Sequence, residues 1–303
     1  MKQETRKAWI DATRPRTLPA SAAPVVAATA YAWYDGVPVW GAAILCLLFA
    51  ILAQIASNMG NDYFDYKKGG DTDQRVGPQR AVVSGLISPR AMLIATLAVL
   101  AAACCVGLGL VYYGGWQLIP VGAVIALFAM AYSAGPYPLS RYGLGDVTVF
   151  IFFGLIAVNF TYYVQAGTFT LPVFLASIAY GVLSINILLV NNYRDMEEDA
   201  ASNKRTTVVL FGRRFASTWY LLNGFVAVLC TYPLWCRESL LVCILPCIYL
   251  AKHISTYKKL TSLQGAELNP ILGKTSFNLL IFTLLVLTAM FANELILILR
   301  LIL

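Results

Sequence analysis

The sequence predicts an all-α integral membrane protein, a bundle of nine transmembrane helices with its N-terminus inside and its C-terminus outside (N-in/C-out). Three observations carry this expectation. Of the 303 residues, 59% are hydrophobic and only 12% charged, against roughly 25% charged in a soluble domain. Apolar runs near the length needed to cross a hydrocarbon core of about 30 Å recur from end to end. They leave no room for a separate soluble domain, so residues 1–303 read as one transmembrane domain. Finally, Lys and Arg crowd into alternate connections, as the positive-inside rule requires.

The basic start, with Lys2, Arg6, Lys7, Arg14 and Arg16, reads as an interfacial helix anchored by Trp9 rather than as a cleaved leader. The apolar runs follow at 17–34, 39–60, 90–112, 117–133, 146–166, 172–191, 215–235, 239–255 and 277–299. The intervals 61–89, 192–214 and 256–276 are longer and polar. With the N-terminus inside, twenty of the 22 basic residues face the cytoplasm and only Arg237 and Arg300 face the other side. The expected location is therefore the cell inner membrane, multi-pass, with the polar loops on the cytoplasmic face. The net charge of +7 then belongs to membrane lipid headgroups and an anionic substrate, and no nucleic-acid partner is needed.

Seven cysteines, including Cys104-Cys105 and the Cys243/Cys247 spacing, lie in apolar runs without His or carboxylates nearby and read as packing residues. His253, the one histidine, stands beside Lys252 at an expected helix end and reads as a surface side chain.

The acids are distributed differently. Eight of fifteen lie in two loops: Asp62, Asp65, Asp71 and Asp73, then Asp195, Glu197, Glu198 and Asp199. The segment Asn61-Asp62-Tyr63-Phe64-Asp65 reappears as Asn191-Asn192-Tyr193-Arg194-Asp195, each at the cytoplasmic end of an even-numbered span. Related motifs in repeated membrane folds meet at one shared interface. On a helix, Asn58, Asp62 and Asp65 fall on one side, Asn61 pairs with Asp65, and Asn191, Asp195 and Asp199 repeat the four-residue step. Carboxylates this dense repel unless cations neutralise them. Oxygen donors without His or Cys suit a hard ion such as Mg²⁺, which keeps coordination places for phosphate oxygens. Lys67, Lys68, Arg75 and Arg80 follow the first stripe, and Lys204 and Arg205 the second. Such cations would complete a cage for a diphosphate. Within the apolar stretch Phe150 to Tyr163, Asn159, Tyr162 and Tyr163 stand out as polar or amphipathic candidates for a pocket wall.

These residues resemble the UbiA superfamily of intramembrane prenyltransferases, whose two Asp-rich loops, Asn-Asp-x-x-Asp-x-x-x-Asp and Asp-x-x-x-Asp, bind a Mg²⁺-prenyl diphosphate. The resemblance runs over nearly the whole chain. Within the superfamily, Arg14-Pro15-Arg16-Thr17-Leu18-Pro19, Gly77-Pro78-Gln79-Arg80, Tyr132 through Leu139 and Lys204-Arg205-Thr206 are similar to the 1,4-dihydroxy-2-naphthoate polyprenyltransferases of menaquinone synthesis. The resemblance implies Mg²⁺ as cofactor and polyprenyl diphosphate and an aromatic acid as substrates. It implies metal binding by Asn58, Asn61, Asp62, Asp65, Asp71, Asn192, Asp195 and Asp199, with Asp62, Asp65, Asp195 and Asp199 catalytic. Diphosphate binding falls to Lys68, Arg80, Lys204 and Arg205, and the acceptor and prenyl pocket to Arg14, Tyr132, Asn159, Tyr162 and Tyr163. Gly69 takes the place of the family's third Asp, which leaves Asp71 three open roles: direct ligand, ligand through water, or shaper of the loop. Two other readings compete. The acceptor could be 4-hydroxybenzoate or homogentisate, because the motifs report the donor and not the ring. A cation transporter with carboxylate ion sites is the reading from a different class, disfavoured by span interiors with almost no charge.

Overall fold

A computed structural model describes residues 2–69, 76–237 and 240–302, and every regular element among them is helical. Helix α1 (Lys2–Ala12) is followed by α2 (Pro19–Tyr34), α3 (Trp40–Lys67), α4 (Pro89–Gly114), α5 (Leu118–Ala131), α6 (Gly145–Ala166) and α7 (Leu171–Arg194). Then come α8 (Met196–Ala201), α9 (Thr207–Leu229), α10 (Tyr232–Arg237), α11 (Leu240–Ser262) and α12 (Asn269–Ile302).

Among the described residues, six stretches are long and apolar enough to cross a membrane: α3, α4, α6, α7, the pair α9 and α10, and Gly265–Ala292. The expected spans at 17–34 and 117–133 correspond to the shorter helices α2 and α5, of 16 and 14 residues, and the span at 239–255 to α11. Leu48, Leu97, Leu108, Leu222, Phe225 and Leu284 are exposed on outward faces, as in a chain whose solvent is lipid.

Two helix ends depart from the apolar runs. Helix α3 continues through Lys67 and carries the whole Asn61–Asp65 motif within it. Helix α9 begins at Thr207, eight residues before the apolar run, because the Thr206 hydroxyl caps it by accepting from the Val209 amide at 3.3 Å. Apolarity marks where the lipid stops; backbone hydrogen bonding decides where the helix stops.

The helices close into a ring, α2 packing on both α3 and α12. Most of the core lies on the α2–α7–α9–α11–α12 side, around Tyr31, Tyr180, Tyr220, Tyr249 and Phe282. His253 belongs to this core and not to the surface: it is fully buried, stacked on Tyr220 at 4.8 Å, with Nδ1 against the Tyr249 hydroxyl and Nε2 against the Leu221 carbonyl, both at 3.1 Å. Gly224 makes that room, since a Cβ there would fall 2.2 Å from the imidazole. Cys104 and Cys105 point outward from α4 instead of packing inside. At the end of the bundle away from the Asp-rich segments, Asp35 accepts from Tyr162 at 2.7 Å and from Arg237 at 3.0 Å, tying α2 to α6 and α10.

Helix α6 is irregular. Residues Phe150–Ile156 form a π-helical stretch, and Gly154 there lies so close to α7 that an added Cβ would sit 2.6 Å from the Gly181 Cα and the Ser177 carbonyl.

Candidate active site

The first motif occupies the last turns of α3 and the second the junction between α7 and α8, so both sit where helix dipoles present their negative ends. Acids there are doubly disfavoured without a counter-charge. Asp195 lies between two helices, yet the Asp199 amide donates to the Asp195 carbonyl at 2.8 Å, which preserves the four-residue step and keeps the two carboxylates on one side.

Residues of both motifs meet. A void of about 60 Å³ is lined by Asn61 and Asp65 from the first and by Asn191, Asn192, Asp195 and Asp199 from the second. Asp62, Asp65, Asp195 and Asp199 are 2%, 6%, 2% and 6% exposed. Beside the void runs a chamber of about 820 Å³, mostly apolar, walled by Phe49, Phe128, Phe152, Phe153 and Phe160. Asp62 and Asn58 face this chamber, while Arg14, Arg80, Tyr132, Leu188 and Asn191 line both spaces.

Cations hold the acids in place. The Arg194 guanidinium is 3% exposed and grips Asp195 with two bonds, at 2.5 and 2.8 Å, while donating also to Asn191 at 2.8 Å and Asn269 at 3.0 Å. Lys204 donates to Asp199 at 3.0 Å. Asn61 donates to Asp65 at 2.7 Å and to the Ser133 hydroxyl at 3.0 Å, and its carbonyl oxygen accepts from Arg14 and, at 3.5 Å, from Arg80. The far end of the first loop is tied to the second motif, because the Val76 amide donates to Glu198 and the Val76 carbonyl accepts from Asn269. Arg213 holds Glu197 below the usual carboxylate range through a pair of hydrogen bonds. The Tyr132 hydroxyl is pushed up, first by burial and then by the Asp146 charge; Arg14 opposes this, and Asp65 and Asp199 add to it.

A family model described as the UbiA prenyltransferase family matches residues 21–268. The chain belongs to that family. It is 36% identical over 294 residues to a 1,4-dihydroxy-2-naphthoate octaprenyltransferase of Mycobacterium tuberculosis, across 95% of this chain and 98% of that one. It is 33% identical over 301 residues to the enzyme of the same name from Haemophilus influenzae, across 94% and 96%. The solved structure of a UbiA homolog from Archaeoglobus fulgidus bound to DMAPP and Mg²⁺ superposes with a TM-score of 0.66 at 17% identity, across 93% of this chain and 98% of that one. At that identity the likeness speaks for the fold alone.

Not every expected residue of this UbiA-family chain reaches the two spaces. Asp71 lies outside the described residues. Lys68 lines neither space and donates instead to the carbonyls of Ser133 and Gly135, at 2.9 and 3.2 Å; its pKa is lowered by burial and then by Arg141, with Asp65 opposing. Arg205 is exposed, with its backbone amide on the Arg141 carbonyl. Asn159 donates to the Leu155 carbonyl of its own helix at 2.8 Å, Tyr162 bonds Asp35 at the opposite end, and Tyr163 accepts from Gln117 and stacks on Phe169. Polarity within an apolar span singled these three out, and neighbours outside the chamber satisfy it. Conversely, Arg194 and Asp146 went unassigned although both line the site.

A divalent cation fits this donor set. Asp65 Oδ1 and Asp146 Oδ1 are buried without a hydrogen-bond partner among the described residues, and every ligand candidate is an oxygen. No group of three or more His, Cys, Asp or Glu among those residues is already drawn into a chelating shell. That suits Mg²⁺, which binds through one or two carboxylates and takes its remaining oxygens from substrate phosphates and water.

Proposed function

We propose that this chain transfers a polyprenyl group from polyprenyl diphosphate to 1,4-dihydroxy-2-naphthoate, with loss of carbon dioxide, giving demethylmenaquinone. The reaction depends on Mg²⁺ and takes place at the cytoplasmic face of the inner membrane. The observation that carries this reading is the shared wall: a polar, acid-lined void and a long apolar chamber meet at Arg14, Arg80, Tyr132 and Asn191. An amphiphile with an anionic head and a hydrocarbon tail fits such a pair of spaces, its scissile carbon-oxygen bond at the junction.

The chain's own residues then have separate tasks. Arg14 and Arg80 offer planar forks for phosphate oxygens and stabilise charge on the departing diphosphate. Asp65, Asp195 and Asp199, with Asn61 and Asn192, would hold the cation. When bound, Mg²⁺ supplies the positive charge that draws electrons toward the diphosphate as the allylic carbon-oxygen bond breaks. Phe128, Phe152 and Phe153 present ring faces that stabilise the allylic cation and exclude water. The acceptor ring attacks through its carboxyl-bearing carbon. One carbon-carbon bond forms, the bond to the carboxylate breaks, its electron pair returns to the ring and carbon dioxide leaves.

The test uses purified protein in detergent with geranylgeranyl diphosphate and a panel of aromatic acids. Prenylated product should form with 1,4-dihydroxy-2-naphthoate, one carbon dioxide should be released per product, and EDTA or Asp195→Asn should remove most turnover. Faster turnover of 4-hydroxybenzoate or homogentisate would reassign the acceptor. Cation flux in proteoliposomes with no prenyl transfer would place the chain in the transporter class.

A further inference from the structure

The void contains a carboxylate that belongs to neither Asp-rich motif. Asp146, at the start of α6, is 2% exposed and lines the void opposite Asp65, Asp195 and Asp199. Its Oδ2 accepts from the Thr207 hydroxyl at 2.5 Å, while its Oδ1 is buried with no hydrogen-bond partner among the described residues. The two basic side chains that share the void are directed elsewhere: Lys204 to Asp199, and Arg141 to the Ser202 carbonyl.

An anchoring role toward Thr207 needs one oxygen, and a carboxamide would supply it. A buried second oxygen without a donor has a use only if something positive arrives to meet it. The Tyr132 hydroxyl stands within the field of the same three acids, Asp146, Asp65 and Asp199, which come from three separate elements.

We propose that Asp146 is a further protein ligand of the divalent cation, supplied by α6 and completing the set offered by Asp65, Asp195 and Asp199. This rests on the cation reading above. Its consequence is mechanical as well as chemical, because α6 also carries Phe152, Phe153 and Phe160 of the chamber wall. Cation binding would fasten that wall to the diphosphate end.

The experiment measures Mn²⁺ binding to the full-length protein in detergent by electron paramagnetic resonance, without substrate. Asp146→Asn keeps the shape and the Thr207 bond and should weaken Mn²⁺ about tenfold, as Asp195→Asn should. Asp146→Cys should bind Cd²⁺ at least tenfold more tightly than Asp146→Asn does, because a thiolate in the ligand shell favours the softer ion. Gel filtration and thermal unfolding establish that each variant is folded, and the Cd²⁺ measurement stands if only the Cys variant is. Wild-type Mn²⁺ affinity in Asp146→Asn, with affinity lost in Asp195→Asn, would overturn this inference alone. Unchanged affinity in both would overturn the cation reading and this inference with it. Weakened Mn²⁺ binding without any gain of Cd²⁺ in the Cys variant would reduce Asp146 to a remote charge and also overturn direct ligation.

Discussion

Arg194 and Asp195 are sequence neighbours whose side chains turn back on one another, so a buried charge pair sits at the lip of the chamber. Removing one partner of such a pair leaves the other charge stranded, which is why Arg194 belongs to the architecture as much as to the chemistry. Arg80 differs in lining both spaces and reaching only the Asn61 carbonyl, at 3.5 Å. Arg80→Lys should keep the charge, lose the fork, and weaken donor binding and turnover by roughly 1–3 kcal/mol while leaving acceptor KM nearly unchanged. Steady-state kinetics varying each substrate in turn check this; a change confined to acceptor KM would move Arg80 to the aromatic carboxylate. The acidic stripes were legible in the sequence because dense carboxylates in so apolar a chain have few structural uses. Asp146 was not, since a single acid opening an apolar run also serves the positive end of a helix dipole. Asn159, Tyr162 and Tyr163 misled for a related reason: sequence shows that a group is polar, but not which partner satisfies it.

The contact between α6 and α7 is made by glycines, and its tightness is measurable. Gly154→Ala places a methyl group against the backbone of Gly181 and Ser177, neither of which can rotate away. The expected cost is about 1–3 kcal/mol of stability. Gly273→Ala on α12, with nothing within 4 Å of its Cβ, should leave the midpoint of thermal unfolding in detergent unchanged or slightly raised. A tolerated Gly154→Ala would mean that the two helices part easily. Sequence located the long helices well and their ends poorly, as α3 and α9 illustrate: a hydropathy reading stops at the first charges, whereas both helices run on into the polar loops that carry the motifs.

For the whole molecule, the expected topology places twenty basic residues inside and two outside, with the Asp35, Tyr162 and Arg237 cluster on the outer side. In a cysteine-free background, Gln79→Cys and Arg205→Cys should resist an impermeant thiol reagent in intact cells and react after permeabilisation, whereas Val37→Cys and Trp116→Cys should react at once. The reverse pattern would invert the orientation. Labelling of positions 79 and 205 from opposite sides would be incompatible with one site. The convergence of the two motifs was legible from their repetition at equivalent helix ends. The chamber was not, because its wall is assembled from helices far apart in the chain.

The π-helical turn of α6 has a consequence for how the chamber wall is phased. The lining residues Thr148, Phe152, Ile156, Phe160 and Val164 are spaced by fours. In a regular helix of 3.6 residues per turn, each such step advances about 40°, so four steps would carry the column nearly half-way around. The wider turn takes up part of that drift and keeps the column facing inward. A single-residue deletion within Phe150–Ile156 would restore the regular pitch and rotate everything beyond it by about 100°. Phe160 and Val164 would leave the wall and other side chains of the same helix would replace them, a re-lining of the chamber achieved without substituting one residue that lines it.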